Sequence, residues 1–241
     1  SDWSSDVCSS DLFCMNEIID PFKESLFNDK FKGILGDTIE IGIDSILTDD
    51  SLREIPIVNT IIGTFKFGQN IHDRNLLKQT MIFIQEFNNN SNNEKVQKYI
   101  SKYKKNITNN PKKAEIELGR VMIILNRNID DIKSSILAKL YLSYIENKID
   151  WSKFCDLSEV NEKMFTLDIE ILKDIYLNNT DFDKDKLHNY QRLVSNGLMK
   201  NDSKFDSETS SYGIVVTENS KECLKMELTL LGKQFARIII N

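Results

Sequence analysis

The sequence predicts a mainly α-helical protein: a multi-helix bundle followed by a C-terminal domain that contains a small antiparallel β-hairpin. Apolar residues recur at intervals of three and four from Met15 to about Tyr176, which is the period of an amphipathic helix. The 241-residue chain contains only nine Gly and three Pro, so little interrupts these helices. After residue 180, short apolar runs alternate with polar segments, as expected for strands and turns.

Residues 1–12, SDWSSDVCSSDL, are set apart from the rest of the chain before the fold is considered. They contain no basic residue and no apolar run, so they lack the features of a signal peptide. They resemble the translation of a sequencing adapter that was carried into a reading frame. We therefore expect residues 1–14 to be non-native or disordered and Met15 to be the true start.

The helical domain is expected to span residues 15–150, and its clearest helix follows Asn128. Asn128 is predicted to be the N-cap of this helix. Asp130 and Asp131 are predicted to lie in its first turn, where the helix dipole favours negative charge. The spacing of the apolar side chains places them on one buried face. They are Ile129, Ile132, Ile136, Leu137, Leu140, Tyr141, Tyr144 and Ile145.

Two further helix starts are predicted upstream of that helix. Asn110 followed by Pro111 places a capping residue before a proline at the first helical position. Ser91 followed by Glu94 has the spacing of a capping box. The Asn-rich run 88–93 is expected to separate the two helices on either side of it.

The C-terminal domain is expected to span residues 151–241. Its predicted elements are a helix over Asp183–Ser195 that ends at Asn196-Gly197, a polar loop over 201–212, strands at 213–217 (GIVVT) and 223–228 (CLKMEL), and a final helix capped by Thr229. This order resembles the winged-helix family, as do LVSNGL at Leu193–Leu198 and LTLLG at Leu228–Gly232. The resemblance covers roughly residues 150–240. A generic β-hairpin packed on a helical bundle is the alternative.

The winged-helix resemblance implies a module that contacts either DNA or another protein. Members of the family often place their second helix in the major groove of DNA. Residues 181–208 contain five basic and six acidic side chains, and so offer little attraction for phosphates. We therefore favour protein contact over DNA binding for this module. The candidate nucleic-acid contacts on it are Lys184, Lys186, Asn189 and Arg192.

A more basic segment lies between Lys95 and Lys113, where there are seven lysines and no acidic residue. Lys112 and Lys113 are expected in the first turn of a helix, where the dipole disfavours cations. An anionic partner such as a phosphate or lipid headgroup would offset that cost. The favoured interpretation is nevertheless a solvated helix that is rich in lysine because of AT-rich codons, with Tyr99 and Tyr103 as core residues. The candidate nucleic-acid or anion contacts in this segment are Lys98, Lys102, Lys105, Lys112 and Lys113.

Residues 31–68 hold five of the nine glycines and suggest close helix packing or membrane contact. The uncharged run Ile55–Phe65 is shorter than the roughly 20 residues that a membrane-spanning helix needs, and Pro56 suits a helix start. Tight packing is the favoured interpretation, so Gly63→Leu is expected to unfold the protein by overpacking. The segments 55–63 (IPIVNTIIG) and 71–78 (IHDRNLLK) resemble a signature of bacterial helical proteins, which implies no activity.

Catalytic motifs are missing from the sequence. The two histidines, His72 and His188, are far apart, and Cys155 and Cys223 have neither disulfide-framework nor zinc-site spacing. The sequence contains no phosphate-binding loop, dinucleotide fingerprint, zinc-protease motif or serine-hydrolase motif. We therefore expect no enzyme activity, no cofactor and no metal, and a reducing, cytoplasmic compartment.

The sequence as a whole favours a cytoplasmic binding or regulatory protein with a link to phage defence. It would act through the winged-helix-like module on a protein partner. The net charge of −6 argues against a protein whose whole surface binds nucleic acid. A DNA-binding transcriptional regulator is the second hypothesis. A membrane-active effector of the abortive-infection type, acting through residues 31–68, is the third.

Overall fold

A computed structural model describes most of the helical part of the chain and parts of the C-terminal sheet. The described residues are mainly helical, with a small antiparallel sheet near the C-terminus, so the predicted fold class is confirmed. Residues 1–17 and most of the glycine-rich segment 31–68 lie outside the description. The described ranges are 18–28, 50–64, 71–178, 183–201, 209–210, 213–214 and 226–240.

The chain divides into two compact units, Ser1–Glu162 and Lys163–Asn241. The division falls at the C-terminal end of helix α8, whereas the boundary expected from the sequence lies at its N-terminal end. The described helices of the first unit are α1 (18–27), α2 (Asp50–Arg53), α3 (Pro56–Thr64), α4 (Ile71–Asn90), α5 (Glu94–Asn109), α6 (Pro111–Arg127), α7 (Asp131–Ile145) and α8 (Trp151–Lys163).

The second unit combines three α-helices with four short strands among its described residues. Its elements are α9 (Thr166–Asn178), a 3₁₀ turn (Lys184–Lys186), α10 (Leu187–Ser195), β1 (Met199–Asn201), β2 (Thr209–Ser210), β3 (Gly213–Ile214), β4 (Met226–Leu228) and α11 (Leu230–Ile240).

Two of the predicted features near α5 are confirmed and one is wrong. Asn110 caps α6, accepting a hydrogen bond from the Lys113 N–H at 3.2 Å, and Pro111 is the first residue of that helix. α4 ends at Asn90 and α5 begins at Glu94, so the Asn-rich run does separate two helices. The capping box is wrong because Asn93, which lies next to α5, accepts the capping hydrogen bond, from the Lys95 N–H at 2.9 Å.

The start of α7 also differs from the prediction. Asn128 is the C-cap of α6, and its N–H donates to the Ile124 carbonyl at 3.0 Å. The N-cap of α7 is Asp130, which makes no side-chain capping bond. Ile129 is 82% exposed, so it does not belong to the buried stripe. Ile129 precedes α7, which begins at Asp131. Only residues within the helix follow the spacing that places their side chains on one face.

The core of the first unit lies where α4 packs along α7 and α6. The fully buried side chains of these helices include Leu77, Phe83, Ile84, Leu118, Val121, Leu125, Leu137, Leu140 and Tyr141. The uncharged run also contributes to the core: α3 begins at Pro56 as predicted, and Ile57, Val58 and Ile61 are completely buried. Gly63 is different. Gly63 is exposed and a Cβ there would meet no atom within 4 Å, so the described residues show no close packing of the kind that the prediction for Gly63→Leu assumed.

In the described part of the second unit, the strands pair differently from the predicted hairpin. β1 pairs with β4, with Met199 opposite Leu228, and β2 pairs with β3, with Thr209 opposite Ile214. The described parts of GIVVT and CLKMEL therefore do not pair with each other, and the predicted loop 201–212 includes strand residues. β1 pairs with β4 because a tight turn after α10 leads the chain directly into β1, where the Leu198 carbonyl accepts a hydrogen bond from the Thr229 N–H at the start of α11.

Two glycines and a threonine shape this exit. Gly197 has φ +73°, a conformation that glycine adopts without a steric penalty, and it ends α10 as predicted. Thr229 caps α11 as predicted, since its hydroxyl accepts a hydrogen bond from the Gly232 N–H at 3.0 Å. Gly232 packs against the loop before β1, and a Cβ there would lie 2.0 Å from the Leu198 carbonyl oxygen. This close approach holds α11 against the end of α10.

Candidate functional site

Three polar side chains of the second unit form a buried network between α9 and α10. Asp168, in the first turn of α9, is completely buried. Arg192 on α10 donates two hydrogen bonds of 2.7 Å to its carboxylate, one from Nε and one from Nη2. Asn189, one turn earlier, donates a third from Nδ2 at 2.7 Å. A buried carboxylate needs such partners, and here both come from the face of α10 that packs on α9.

Arg192 also contacts an aromatic ring of the same unit. Its guanidinium lies 4.6 Å from the centroid of the Phe165 ring, within the range of a cation–π interaction. The hydrogen bonds to Asp168 raise the pKa of this guanidinium above its ordinary value. The sequence does contain a signal for the network. Asp168 lies four residues from both Met164 and Leu172, so it occupies the apolar phase, where a carboxylate needs a buried partner.

The network changes the interpretation of the four C-terminal residues predicted to contact nucleic acid. Asn189 is buried and Arg192 is directed into the network, so neither presents its polar group to a ligand. Lys186 is exposed and forms an ion pair with Asp183 at 3.7 Å. The backbone of Lys184 belongs to the 3₁₀ turn, and its side chain is outside the description. The exposed positions of α10 are His188, Gln191 and Ser195.

The outer face of α9 carries two apolar and two acidic side chains. Leu167 and Leu177 are 52% and 60% exposed. Glu170 and Asp174 are also exposed and lie between the two leucines in the sequence. Because the four residues follow a spacing of three, four and three, they share one side of the helix. A surface with exposed leucines next to two negative charges is suited to a partner that is basic and partly apolar.

Three of the predicted lysine contacts lie together on the outer face of α5. Lys98, Lys102 and Lys105 are exposed and recur at a spacing of four and three. With Gln97 and Ser101 they line an open cavity of about 410 Å³. The structure therefore brings these three lysines to one surface.

Lys112 and Lys113 occupy the first turn of α6, as predicted, and have different surroundings. Lys112 is exposed. Lys113 is directed towards Glu117, with its Nζ 3.5 Å from the carboxylate, and it also lies 5.8 Å from the centroid of the Tyr103 ring. Lys113 thus contacts the side chains of Glu117 and Tyr103, whereas Lys112 faces solvent.

Glu117 is the centre of a second buried network, which was not predicted. Its carboxylate accepts hydrogen bonds from Tyr103 and, at 2.6 Å, from Tyr144. The hydroxyls of Tyr103 and Tyr141 lie 2.8 Å apart. Burial raises the pKa of all three phenols above the ordinary value, and the charge of Glu117 raises it further. Because the phenols and Lys113 satisfy the carboxylate internally, we assign this network to the stability of the first unit.

The reactive side chains named from the sequence lie on three different helices. His72 is exposed on α4 and His188 on α10, in different units. Cys155 is a free thiol, and burial raises its pKa, which disfavours the nucleophilic thiolate. Within the described ranges, no group of three or more His, Cys, Asp or Glu side chains is arranged to hold a metal ion.

None of the described helices combines the length and the apolar character needed to cross a bilayer. No family model matches the chain, and neither a curated protein nor a solved structure matches it. The function is therefore inferred from the geometry of the chain's own residues.

Proposed function

We propose that this chain is a non-enzymatic binding protein whose C-terminal unit is a winged-helix-like module that contacts another protein. The supporting observation is the inward direction of Asn189 and Arg192, which bind the buried Asp168. A helix that reads DNA needs such polar and basic side chains at its surface, where they reach phosphates and base edges. On α10 they instead join two helices of the module.

The outer face of α9 is the surface that we assign to the partner. Its carboxylates, Glu170 and Asp174, repel a phosphate backbone and attract basic side chains. Its exposed leucines, Leu167 and Leu177, supply apolar contacts at both ends of the acidic pair. The expected partner surface is therefore a protein segment with lysine or arginine residues between apolar anchors.

A charge-reversal experiment tests this assignment with the full chain. The double variant Glu170→Lys/Asp174→Lys is compared with wild type and with Glu94→Lys/Glu115→Lys, which makes the same charge change at exposed positions of the first unit. Each protein is used to capture partners from lysate of the source cells, with chemical crosslinking and mass spectrometry. We expect a stoichiometric protein with wild type and the control, and its loss with the α9 variant. Equal recovery by all three proteins, or no stoichiometric protein with wild type, would contradict the proposal.

The two other hypotheses receive less support from the geometry. DNA reading by α10 would have to use His188, Gln191 and Lys186, the last of which is paired with Asp183. Membrane action through residues 31–68 would require Ile57, Val58 and Ile61 to leave the core in which they are completely buried. The link to phage defence remains a prediction from the sequence.

A further inference from the structure

The helix α5 buries a narrow face and exposes the rest of its surface. The buried side chains recur at a spacing of four, three and four, which places them along one line of the helix. They are Val96, Ile100, Tyr103 and Ile107. The opposite line carries lysines at a spacing of three, four and three. We call these residues, Lys95, Lys98, Lys102 and Lys105, the lysine row.

The lysine row concentrates positive charge on one side of α5. None of the four forms an ion pair with another described residue. Other lysines of the same unit do pair with carboxylates, as Lys23 does with Asp20 and Lys148 with Glu146, although Lys104 and Lys112 form no ion pair with a described residue. Like charges three and four residues apart repel each other along a helix, so the row weakens α5. A repulsion of this kind, on a chain with a net charge of −6, indicates a surface for an anion.

The shape of the surface indicates an extended anion. The row runs parallel to the helix axis over ten residue steps, or about 15 Å at 1.5 Å per residue. Three of its lysines line the open cavity of about 410 Å³ together with Gln97 and Ser101, which add hydrogen-bonding groups. Tyr99 is 41% exposed and follows Lys95 by about one helical turn, so it lies on the same side of α5 as Lys95. Duplex DNA presents about nine charges over such a length.

We propose that the lysine row binds the phosphodiester backbone of nucleic acid without reading its sequence. Cations at intervals along one side of a helix, with a partly exposed tyrosine next to them, are the features that bind strands through phosphates and stacked bases. An interfacial membrane helix would need its apolar face free to enter the bilayer, whereas the apolar face of α5 is buried in the protein core. This site is on the first unit and is independent of the partner surface on α9.

The test uses the full chain and fluorescent random-sequence DNA, as a duplex and as a single strand. The variant Lys98→Gln/Lys102→Gln/Lys105→Gln is compared with Lys23→Gln/Lys148→Gln/Lys153→Gln, which removes three lysines that are paired in the same unit. We expect wild type and control to bind with a steep salt dependence. The lysine-row variant should bind about tenfold more weakly or worse, with a duplex slope of log K against log salt that is shallower by about 2.7. Its melting temperature should equal or exceed that of wild type, because repulsion is removed.

Three results would overturn the proposal. The first is an affinity of the lysine-row variant equal to that of the control. The second is a wild-type affinity that is absent at low salt or independent of salt. The third is binding to phosphatidylserine-containing vesicles, abolished in the lysine-row variant, at a salt concentration where no DNA is bound; this would assign the row to lipid headgroups.

Discussion

The guanidinium of Arg192 holds the carboxylate of Asp168 through two hydrogen bonds of 2.7 Å and thereby joins α10 to α9. The carboxylate side chain is completely buried, while that of Arg192 is 35% exposed. The buried Asn189 side chain donates the third hydrogen bond to this carboxylate. The Asp168 carboxylate thus engages the polar groups of two α10 side chains, one buried and one partly exposed.

Replacing Asp168 by alanine should destabilise the second unit strongly. The change leaves the buried Asn189 amide without its acceptor and removes both bonds of Arg192, although Arg192 can regain water because it is partly exposed. We expect a loss of about 2–3 kcal/mol in the free energy of unfolding, measured by urea denaturation. Asp174→Ala, at an exposed position of the same helix, should change it by less than about 0.5 kcal/mol. Similar losses for the two variants would show that the network does not contribute to stability.

Replacing Glu117 by alanine tests the second network in the same way. The substitution removes the acceptor of two phenolic hydroxyls, those of Tyr103 and Tyr144. A loss of about 2–3 kcal/mol is expected, since buried donors would be left unsatisfied. Glu115→Ala removes an exposed carboxylate two residues away and is the matched control, with a change within about 0.5 kcal/mol. An unaltered urea midpoint in Glu117→Ala would refute the assignment.

The buried phenols predict a loss of stability in alkali. Burial raises the pKa of Tyr103 and Tyr141 in the folded state, so both remain protonated there when an unfolded chain would ionise them. Their contribution is complete below the unfolded pKa of about 10 and falls as the pH rises above it. Each tyrosine should lower the free energy of unfolding by up to about 1.4 kcal/mol per pH unit in that range. Urea denaturation at a series of pH values above about 10 measures how the free energy of unfolding changes with pH. Phenolate absorbance reports the ionisation of the tyrosines over the same range. An identical slope in Tyr103→Phe would contradict this explanation.

Two glycines should respond oppositely to the same substitution. In Gly232→Ala the new Cβ would lie 2.0 Å from the Leu198 carbonyl oxygen, which belongs to the backbone and cannot rotate away. We expect a loss of at least about 2 kcal/mol or failure to fold. Gly63→Ala meets no atom within 4 Å and should gain up to about 1 kcal/mol, because alanine favours the helix. Thermal melts of the two variants provide the comparison, and a stable Gly232→Ala protein would disprove the close contact.

Several helix ends could be predicted from the sequence because their signals are local. Asn110-Pro111, Asn196-Gly197 and Thr229 each lie next to the backbone groups that they cap. Errors arose where two capping residues compete within a few positions. Ser91 and Asn93 both fit a helix start, and only Asn93 lies adjacent to the helix. Capping preferences alone do not resolve such a choice, because the side chain of either residue can accept a hydrogen bond from an N–H of the first turn.

The sequence by itself determined the helical class, most of the helix ends and the presence of a small sheet near the C-terminus. These features depend on the period of apolar residues and on contacts within a few positions of the chain. Only the tertiary structure decided which strands pair, which lysines share a surface, and that Asp168 and Glu117 bind partners on other helices. Those contacts join residues that are distant in sequence. Their energy comes from burial and from the pairing of polar groups, which no single segment contains.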